Sequence, residues 1–258
     1  SMHFRRPIAD LQTGFRAVAA GQLNTRLNAE QGNEIGDIAT HFNRMTAQLE
    51  AQESARRQWV ADTSHELRTP LTVQRMRTEA MRDGIVPNTD EEWQRSIKCI
   101  EDLTVLVNDL QLMARATAGQ WDLHIEPIEV NQWLAGVVDS HKPAFEQANL
   151  SLSFVPMTQP VVIRGDEQRL QQVIRNILVN SLRYTDAPGQ VMVSAMQCDT
   201  GIKICIKDSA PGVPEEALSH LFERFYRVDG SRNRASGGSG LGLAISQGIV
   251  AAHQGSIA

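Results

Sequence analysis

Apolar residues before position 115 recur at intervals of three and four, which is the spacing of helices that bury one face. The stripes that they form cover residues 8–18, 35–49, 60–71 and 93–114. An isolated helix cannot bury such a stripe by itself, because burial requires a second apolar surface. The sequence therefore predicts helical bundles, in which each stripe is covered by a neighbouring helix or by a second copy of the chain.

Polar segments divide this helical part into two modules. A polar connector follows the first helix and leads to a second helix, which continues into the third stripe. Thr89 and Glu92 then form a capping box for the last helix. We expect a two-helix module over residues 7–51, which is either a dimeric signalling bundle or an ordinary helical hairpin. We also expect a helical hairpin over residues 52–118 that forms a four-helix bundle in a homodimer.

From Trp121 onward the pattern changes to the short alternating runs of β-strands, after a linker at 116–120. The predicted strands are 123–130, 150–155, 161–164, 191–196 and 202–206, and the predicted helices are 132–147, 167–185, 214–224 and 241–253. We expect these elements to form an α/β sandwich, with the helices on one face of a mostly antiparallel sheet.

The composition excludes several classes of function. A net charge of −5 argues against nucleic-acid binding, and the three cysteines lack the spacing of a metal site. No run of 18 apolar residues is present, so no membrane span is expected within the chain. The basic residues before Pro7 are typical of the cytoplasmic side of a membrane helix. We therefore expect a soluble fragment of a membrane protein, attached to the membrane through segments outside this sequence.

His65 is the first candidate for chemistry. It lies about 200° around its helix from the apolar Leu67, so its side chain points outward. Glu66 adjoins it, Thr69 lies one turn further on, and Pro70 is expected to bend or loosen this turn. A carboxylate can fix the tautomer of an exposed imidazole and leave the other nitrogen free as a nucleophile. An isolated His-Glu pair is more often an ordinary surface pair than a nucleophile with its orienting carboxylate. The pair alone therefore leaves both interpretations open.

A second candidate site begins on the helix 167–185. The face opposite its apolar stripe carries Asn176, Asn180, Arg183 and Tyr184. An asparagine carbonyl can bind a hard cation, and an arginine can bind phosphate. Asp208 follows a strand and can accept a hydrogen bond from an exocyclic amine. Small residues around the start of the last helix allow backbone N–H groups to approach phosphate. The turn and helix-start residues are Gly212, Gly238, Ser239, Gly240, Leu241 and Gly242.

Residues 64–71, Ser-His-Glu-Leu-Arg-Thr-Pro-Leu, resemble the phosphoacceptor box of bacterial sensor histidine kinases. In their order and spacing, the later motifs resemble the N, G1, F and G2 boxes of the ATP-binding domain in the same family. That fold is shared with gyrase, Hsp90 and MutL-type ATPases. The segments 181–186, 208–213 and 230–238 look closest to the envelope-stress branch of the family.

The resemblance implies a multidomain fold. Residues 7–51 are similar to an all-α HAMP signalling module. Residues 52–118 correspond to the dimeric four-helix bundle for dimerisation and histidine phosphotransfer. Residues 121–258 correspond to the α/β sandwich that binds ATP.

The resemblance further implies that His65 attacks the γ-phosphate of ATP, while Glu66 accepts or orients its proton. Arg227, from a mobile lid, would stabilise the transferring phosphoryl group. The group would then pass to an aspartate on a response regulator that docks near His65. Thr69 is where the family positions a water for the dephosphorylation of that regulator. These roles describe a bifunctional kinase and phosphatase.

The implied nucleotide site uses the second group of residues. Asn180 holds Mg²⁺, with Asn176 beside it. Arg183 and Tyr184 contact phosphate and nucleotide, and Asp208 recognises adenine. The pocket is shaped by Gly212, Gly238, Ser239, Gly240, Leu241 and Gly242.

Two other functions are considered. Hydrolytic relatives of this fold carry a glutamate as the base for water, four residues before the metal-binding asparagine. Asn176 occupies this position, which argues against a plain ATPase. The other alternative is a non-catalytic signalling scaffold whose ATP domain only senses a ligand.

The sequence also departs from the family pattern. Ala210 and Arg183 replace the usual Gly and Lys. The sequence ends at Ala258, before the hairpin that completes the family's sheet, so we expect an incomplete C-terminal edge.

Overall fold

The structure is a computed structural model that describes residues 5–29, 34–117, 121–199, 201–209, 211–228 and 239–258. The chain forms two compact units, Ser1–Glu79 and Ala80–Ala258. Among the described helices, none combines the length and the apolar character needed to cross a lipid bilayer.

The first unit contains α1 (Arg5–Ala19) and most of α2 (Glu34–Arg82), in agreement with the first two apolar stripes. The side chain of Asn43 binds the connector between these helices to α2. Its amide donates to the backbone oxygen of Leu27 and accepts from the Leu27 N–H, both at 2.8 Å. The helices and their connector therefore form one packed module.

The long helix α2 continues through Pro70, where the sequence predicted a bend or a loosened turn, and ends at Arg82. The next helix, α3 (Asp90–Thr117), begins after Thr89, whose hydroxyl accepts from the Glu92 N–H at 3.4 Å. Large apolar side chains of α2 and α3 are exposed in the single chain: Val60, Leu71, Val73, Met76, Ile97, Ile100 and Val105. Both helices therefore present apolar surface that this chain alone does not cover.

The rest of the second unit alternates strands and helices. Its elements are β1 (Glu126–Glu129), α4 (Val130–Gln147), β2 (Leu150–Val155), β3 (Val162–Gly165), α5 (Glu167–Tyr184), β4 (Gly189–Cys198), β5 (Gly201–Asp208), α6 (Glu215–Leu218) and α7 (Gly242–Ala252). The described strands form two sheets, an antiparallel pair β1–β3 and a three-stranded sheet in the order β2-β4-β5.

Two of the three described strand pairings are antiparallel, as the sequence predicted, and the third makes the larger sheet mixed. β4 pairs antiparallel with β5 but parallel with β2. The parallel pairing follows from the connection, because β3 and α5 lie between β2 and β4 and return the chain to the same end of the sheet.

Two predicted elements are shorter than expected. β1 covers only residues 126–129, because the His124 N–H before it donates to the Asp166 carboxylate and Glu129 at its end caps α4 by accepting from the N–H groups of Asn131 and Gln132. The helix predicted at 214–224 is limited to α6. Turns replace its second half, and they bring the N–H of Phe225 to the carbonyl of Gly240 at 3.0 Å.

The core of the second unit lies where α4 and α5 cover the larger sheet. Its fully buried side chains include Leu134, Val138, Phe145, Leu178, Val191 and Val193. α7 buries Ile245 and Ile249 and packs against α5. This packing joins α5 and α7 in one rigid layer. The two helices carry most of the candidate residues.

Candidate functional site

His65 lies on the exposed face of α2, as predicted. The Thr69 hydroxyl donates to the His65 carbonyl oxygen at 3.2 Å. Neither the His65 imidazole nor the Glu66 carboxylate has a hydrogen-bond partner among the described residues. The two side chains do not meet each other because neighbouring residues on a helix point in different directions. The imidazole is therefore accessible, and Glu66 does not orient it in this conformation.

The N-terminus of α5 is fixed by Asp166. Its carboxylate accepts from the backbone N–H groups of Arg169 and His124, each at 3.0 Å. Burial alone would raise the pKa of Asp166, but these hydrogen bonds hold its pKa below the usual value. The Asp166 N–H donates to Nε2 of His253 at 3.0 Å, so the start of α5 is tied to the residue that follows α7.

Asn176 connects α5 to the beginning of α7. Its amide nitrogen donates to the carbonyl oxygen of Gly242 at 3.0 Å and contacts Oγ of Ser246 at 3.4 Å. The sequence suggested a place beside the metal for this residue, whereas its amide nitrogen here holds two helices together. In the sequence, the only indication of this role is that position 176 carries an amide where the hydrolytic relatives carry a glutamate.

Asn180 lies one turn after Asn176 on the same face of α5 and is half-buried. Its amide makes no hydrogen bond to any described residue, so its oxygen is available to a ligand. Arg183 is half-buried on the next turn, and 44% of Tyr184 is exposed. The predicted site residues on α5 therefore lie on the same face of this helix.

Asp208 lies at the end of β5, where its Oδ2 accepts from the hydroxyl of Ser181 at 2.9 Å. Ser181 is only 3% exposed and belongs to the buried side of α5. Ser181 was not among the site residues predicted from the sequence. The sequence indicated this role only through the small hydroxyl side chain of Ser181, which adjoins Asn180 and lies on a face of α5 that otherwise carries aliphatic side chains.

The segment before α7 is closely packed on the turns that follow α6. A Cβ at Gly240 would lie 2.8 Å from the backbone of Phe225, and Gly240 has φ +68°. No other residue therefore fits at position 240 without strain. Leu241 is fully buried, and its N–H donates to Oγ of Ser239 at 3.3 Å. The segment that leads into the N-terminus of α7 is therefore held at two points, by the Phe225 backbone against Gly240 and by the Ser239 hydroxyl at Leu241.

Some predicted site residues are less constrained. Gly212 lies in the turn after β5 with φ +73°, and a Cβ added at this position would have no atom within 4 Å. Arg227 is exposed at the end of a described segment. Gly238 and Ala210 lie outside the described residues, as do most of the predicted lid and part of the 116–120 linker. His65 belongs to the first compact unit and the α5–α7 cluster to the second.

Comparison with known protein families matches three parts of the chain. Residues 1–51 match the HAMP domain, and residues 55–119 match the His Kinase A (phospho-acceptor) domain. Residues 165–258 match the histidine kinase-, DNA gyrase B-, and HSP90-like ATPase family.

Individual relatives share this architecture. The signal transduction histidine-protein kinase BaeS of Escherichia coli K12 is 41% identical over 97% of this chain, which covers 54% of BaeS. The chain thus spans about half the length of the curated relatives it matches.

Two solved structures are also similar. The histidine kinase AdeS of Acinetobacter baumannii matches with a TM-score of 0.62 and 26% identity, over 73% of this chain and 86% of that one. The histidine kinase ThkA, solved in complex with the response regulator protein TrrA, has the same fold with a TM-score of 0.55 and 18% identity, over 82% of this chain and 57% of that one.

Proposed function

The chain belongs to the bacterial two-component sensor histidine kinases, and from this premise we propose that it transfers the γ-phosphoryl group of ATP to His65. The phosphoryl group then passes to an aspartate of a response regulator. The chain covers only half the length of its relatives, so this activity belongs to the protein of which this sequence is the signalling and catalytic part.

The observation that carries the proposal is the exposed His65 imidazole on α2, which no described residue binds. A neutral imidazole has one nitrogen with a lone pair, and this nitrogen can attack phosphorus. Glu66 adjoins it and can accept or orient the proton once a rotamer change brings the carboxylate to the ring. The phosphoacceptor family matches this stretch of the chain.

The nucleotide is proposed to bind between α5, the end of β5 and the start of α7. The Asp208 carboxylate accepts from the exocyclic amine of adenine. Arg183 and Tyr184 lie one turn beyond Asn180, on the side where phosphate and nucleotide approach. The N-terminal N–H groups of α7, fixed by Asn176, are suited to phosphate oxygens.

The pocket is proposed to be shaped by residues at the two ends of the site, most of which are glycines. They are Gly212, Gly238, Ser239, Gly240, Leu241 and Gly242, of which Gly238 is assigned from the sequence alone. Arg227 is proposed to stabilise the transferring phosphoryl group, because its guanidinium remains charged and can bind two phosphate oxygens at once.

Asn180 is proposed to hold Mg²⁺. The residues fit such an ion, because the Asn180 amide is half-buried and has no partner among the described residues. The described part of the chain contains no cluster of three His, Cys, Asp or Glu side chains. Magnesium is commonly held by one or two protein oxygens together with phosphates and water. When bound, the ion neutralises phosphate charge during transfer.

A homodimer is proposed from the apolar surface of the phosphotransfer helices. Leu71 on α2 and Ile100 on α3 are each more than half exposed in the single chain, at 55% and 54%. Two copies that pack these surfaces together form a four-helix bundle. A solution mass equal to one chain would contradict this assignment.

The response regulator is proposed to dock on the bundle near His65. ThkA, which shares the fold, was solved with a response regulator bound. Thr69 lies one turn from His65 and is proposed to position a water when the regulator is dephosphorylated. The same protein would therefore add and remove the phosphoryl group of its regulator.

We assign residues 7–51 to the HAMP module, 52–118 to the dimerisation and phosphotransfer domain, and 121–258 to the ATP-binding domain. HAMP modules adjoin membrane segments in sensor kinases, so this part is proposed to be the cytoplasmic portion of an inner-membrane protein. No nucleic-acid partner is proposed.

The test follows labelled Mg²⁺-ATP with purified protein and counts both labelled protein and released phosphate. We expect label on the protein with little steady release of phosphate. Steady release without labelled protein would indicate an ATPase. ATP binding without either product would indicate a scaffold.

A further inference from the structure

We propose that Ser181 is a positioning residue that holds the Asp208 carboxylate in the orientation that selects 6-amino purines over 6-oxo purines. This inference rests on the proposed function, in which Asp208 recognises the base of the nucleotide. It gives a role to a residue to which the proposed function assigned none.

The contact joins two elements that are distant in sequence. Ser181 Oγ on α5 donates to Asp208 Oδ2 at the end of β5, across 2.9 Å. Because Ser181 is 97% buried, its hydroxyl has no bulk water as an alternative partner. The hydrogen bond therefore holds one oxygen of the carboxylate in place, while Asp208 itself remains exposed towards the proposed nucleotide.

The second carboxylate oxygen is left for the ligand. Among the described residues, Ser181 is the only one that donates to the Asp208 side chain. Ser181 engages one lone pair of Oδ2, so Oδ1 is the oxygen left with both lone pairs open to a ligand. A carboxylate can accept hydrogen bonds but cannot donate them. It therefore accepts the N–H of a 6-amino group and repels the lone pairs of a 6-oxo group.

The surrounding backbone keeps the two side chains at this distance. Beyond the end of β5, the Ser209 N–H donates to the Gln190 oxygen, and the Gln190 N–H donates to Ser209 Oγ, both at 3.0 Å. Gly189 sits against the turn after α5, where an added Cβ would lie 2.5 Å from the Asp186 oxygen. The end of β5 is thus fixed relative to the end of α5. The Asp208 side chain could still rotate, and the hydrogen bond from Ser181 prevents this rotation.

The experiment compares the Kd values of ATP and ITP, which differ at the 6-position of the purine, for the full chain. Ser181→Ala is expected to lower ATP affinity by about 5- to 20-fold and ITP affinity by much less, because a hydrogen bond to a charged group is lost. Ser181→Cys keeps a weak donor of similar size and should give an intermediate ratio. Ser140→Ala is the control, because the Ser140 hydroxyl donates to the Val137 carbonyl oxygen on α4 and not to Asp208, and it should keep the wild-type ratio.

A double-mutant cycle separates positioning from general structural damage. Ser181→Ala should have little further effect on the ATP-to-ITP ratio in an Asp208→Asn background. Independent effects of the two substitutions, or a Ser181→Ala variant with the wild-type ratio, would overturn the role of Ser181. A wild-type protein without preference for ATP, or an Asp208→Asn variant that keeps the preference, would instead overturn the proposed role of Asp208.

Discussion

The amide of Asn176, in the middle of α5, donates to the carbonyl oxygen of Gly242, the first residue of α7, across 3.0 Å. This hydrogen bond connects the helix that carries Asn180 to the helix whose N-terminus is proposed to face phosphate. A glutamate at this position, as in the hydrolytic relatives, would lack the donor that the contact requires. Asn176 thus aligns the two helices.

Substitution of Asn176 should therefore loosen the start of α7. Asn176→Asp is expected to be more harmful than Asn176→Ala, because a carboxylate would face the Gly242 carbonyl oxygen without a hydrogen between them. We expect faster hydrogen exchange of the 242–252 amides and weaker ATP binding in both variants. Gln171→Ala removes an exposed amide from the same helix and serves as the control. Wild-type exchange in the Asn176→Asp variant would contradict this role.

Thr69 is expected to separate the two proposed activities. Its hydroxyl binds the His65 carbonyl and not the imidazole, so its removal leaves the nucleophile intact. Thr69→Ala should reduce dephosphorylation of the regulator by at least about tenfold, through loss of water positioning, and change autophosphorylation far less. Thr69→Ser keeps the hydroxyl and should retain both activities. Equal loss of both activities in Thr69→Ala would refute the separation.

Two glycines of the second unit should respond in opposite directions to an added methyl group. Gly189→Ala places a Cβ within 3.0 Å of three atoms, one of them a backbone oxygen, and should destabilise the unit by about 1–3 kcal/mol. Gly136 lies inside α4 with nothing within 4 Å, and Gly136→Ala should stabilise it by about 0.5–1 kcal/mol. Hydrogen exchange of the α4 and β4 amides measures both effects. A Gly189→Ala variant as protected as the wild type would show that the turn yields freely.

Asp109 should make the stability of the second unit depend on pH. Burial raises the pKa of the Asp109 carboxyl to about 6, although the positive charge of Arg175 opposes the rise. As the pH increases from about 4 to about 6, the unfolded chain releases this proton more readily than the folded chain, so folding is progressively penalised. The penalty is complete above the folded pKa.

Asp109→Asn removes this penalty. It should stabilise the protein more at pH 7.5 than at pH 4.5, by roughly 1 kcal/mol after allowance for the exposed part of the side chain. Thermal unfolding of both proteins at the two pH values provides the comparison. An equal gain at both values would show that Asp109 does not titrate in this range. Arg175→Ala should move the pKa of Asp109 further upward.

Features that depend on neighbouring residues were predictable from the sequence. The end of α2 at Arg82, the capping of α3 by Thr89 and the N-cap of α5 at Asp166 all follow from local signals. The outward direction of His65 followed from the helical period alone.

Features that depend on distant residues were not predictable. The parallel pairing of β2 with β4 depends on how β3 and α5 return the chain. The Ser181–Asp208 contact joins residues 27 positions apart, and no periodicity indicates it. The shorter α6 has a similar origin, because the turns after it pack on Gly240. In each case, tertiary contacts selected among local conformations that the sequence left open.

The central claim is that His65 receives the phosphoryl group. The most direct measurement incubates the wild type and His65→Gln with labelled Mg²⁺-ATP and follows the stability of the protein-bound label in acid and in alkali. We expect a label on the wild type that is lost in acid and retained in alkali, with no label on the variant. A label of equal amount on His65→Gln, or an acid-stable label on the wild type, would contradict it.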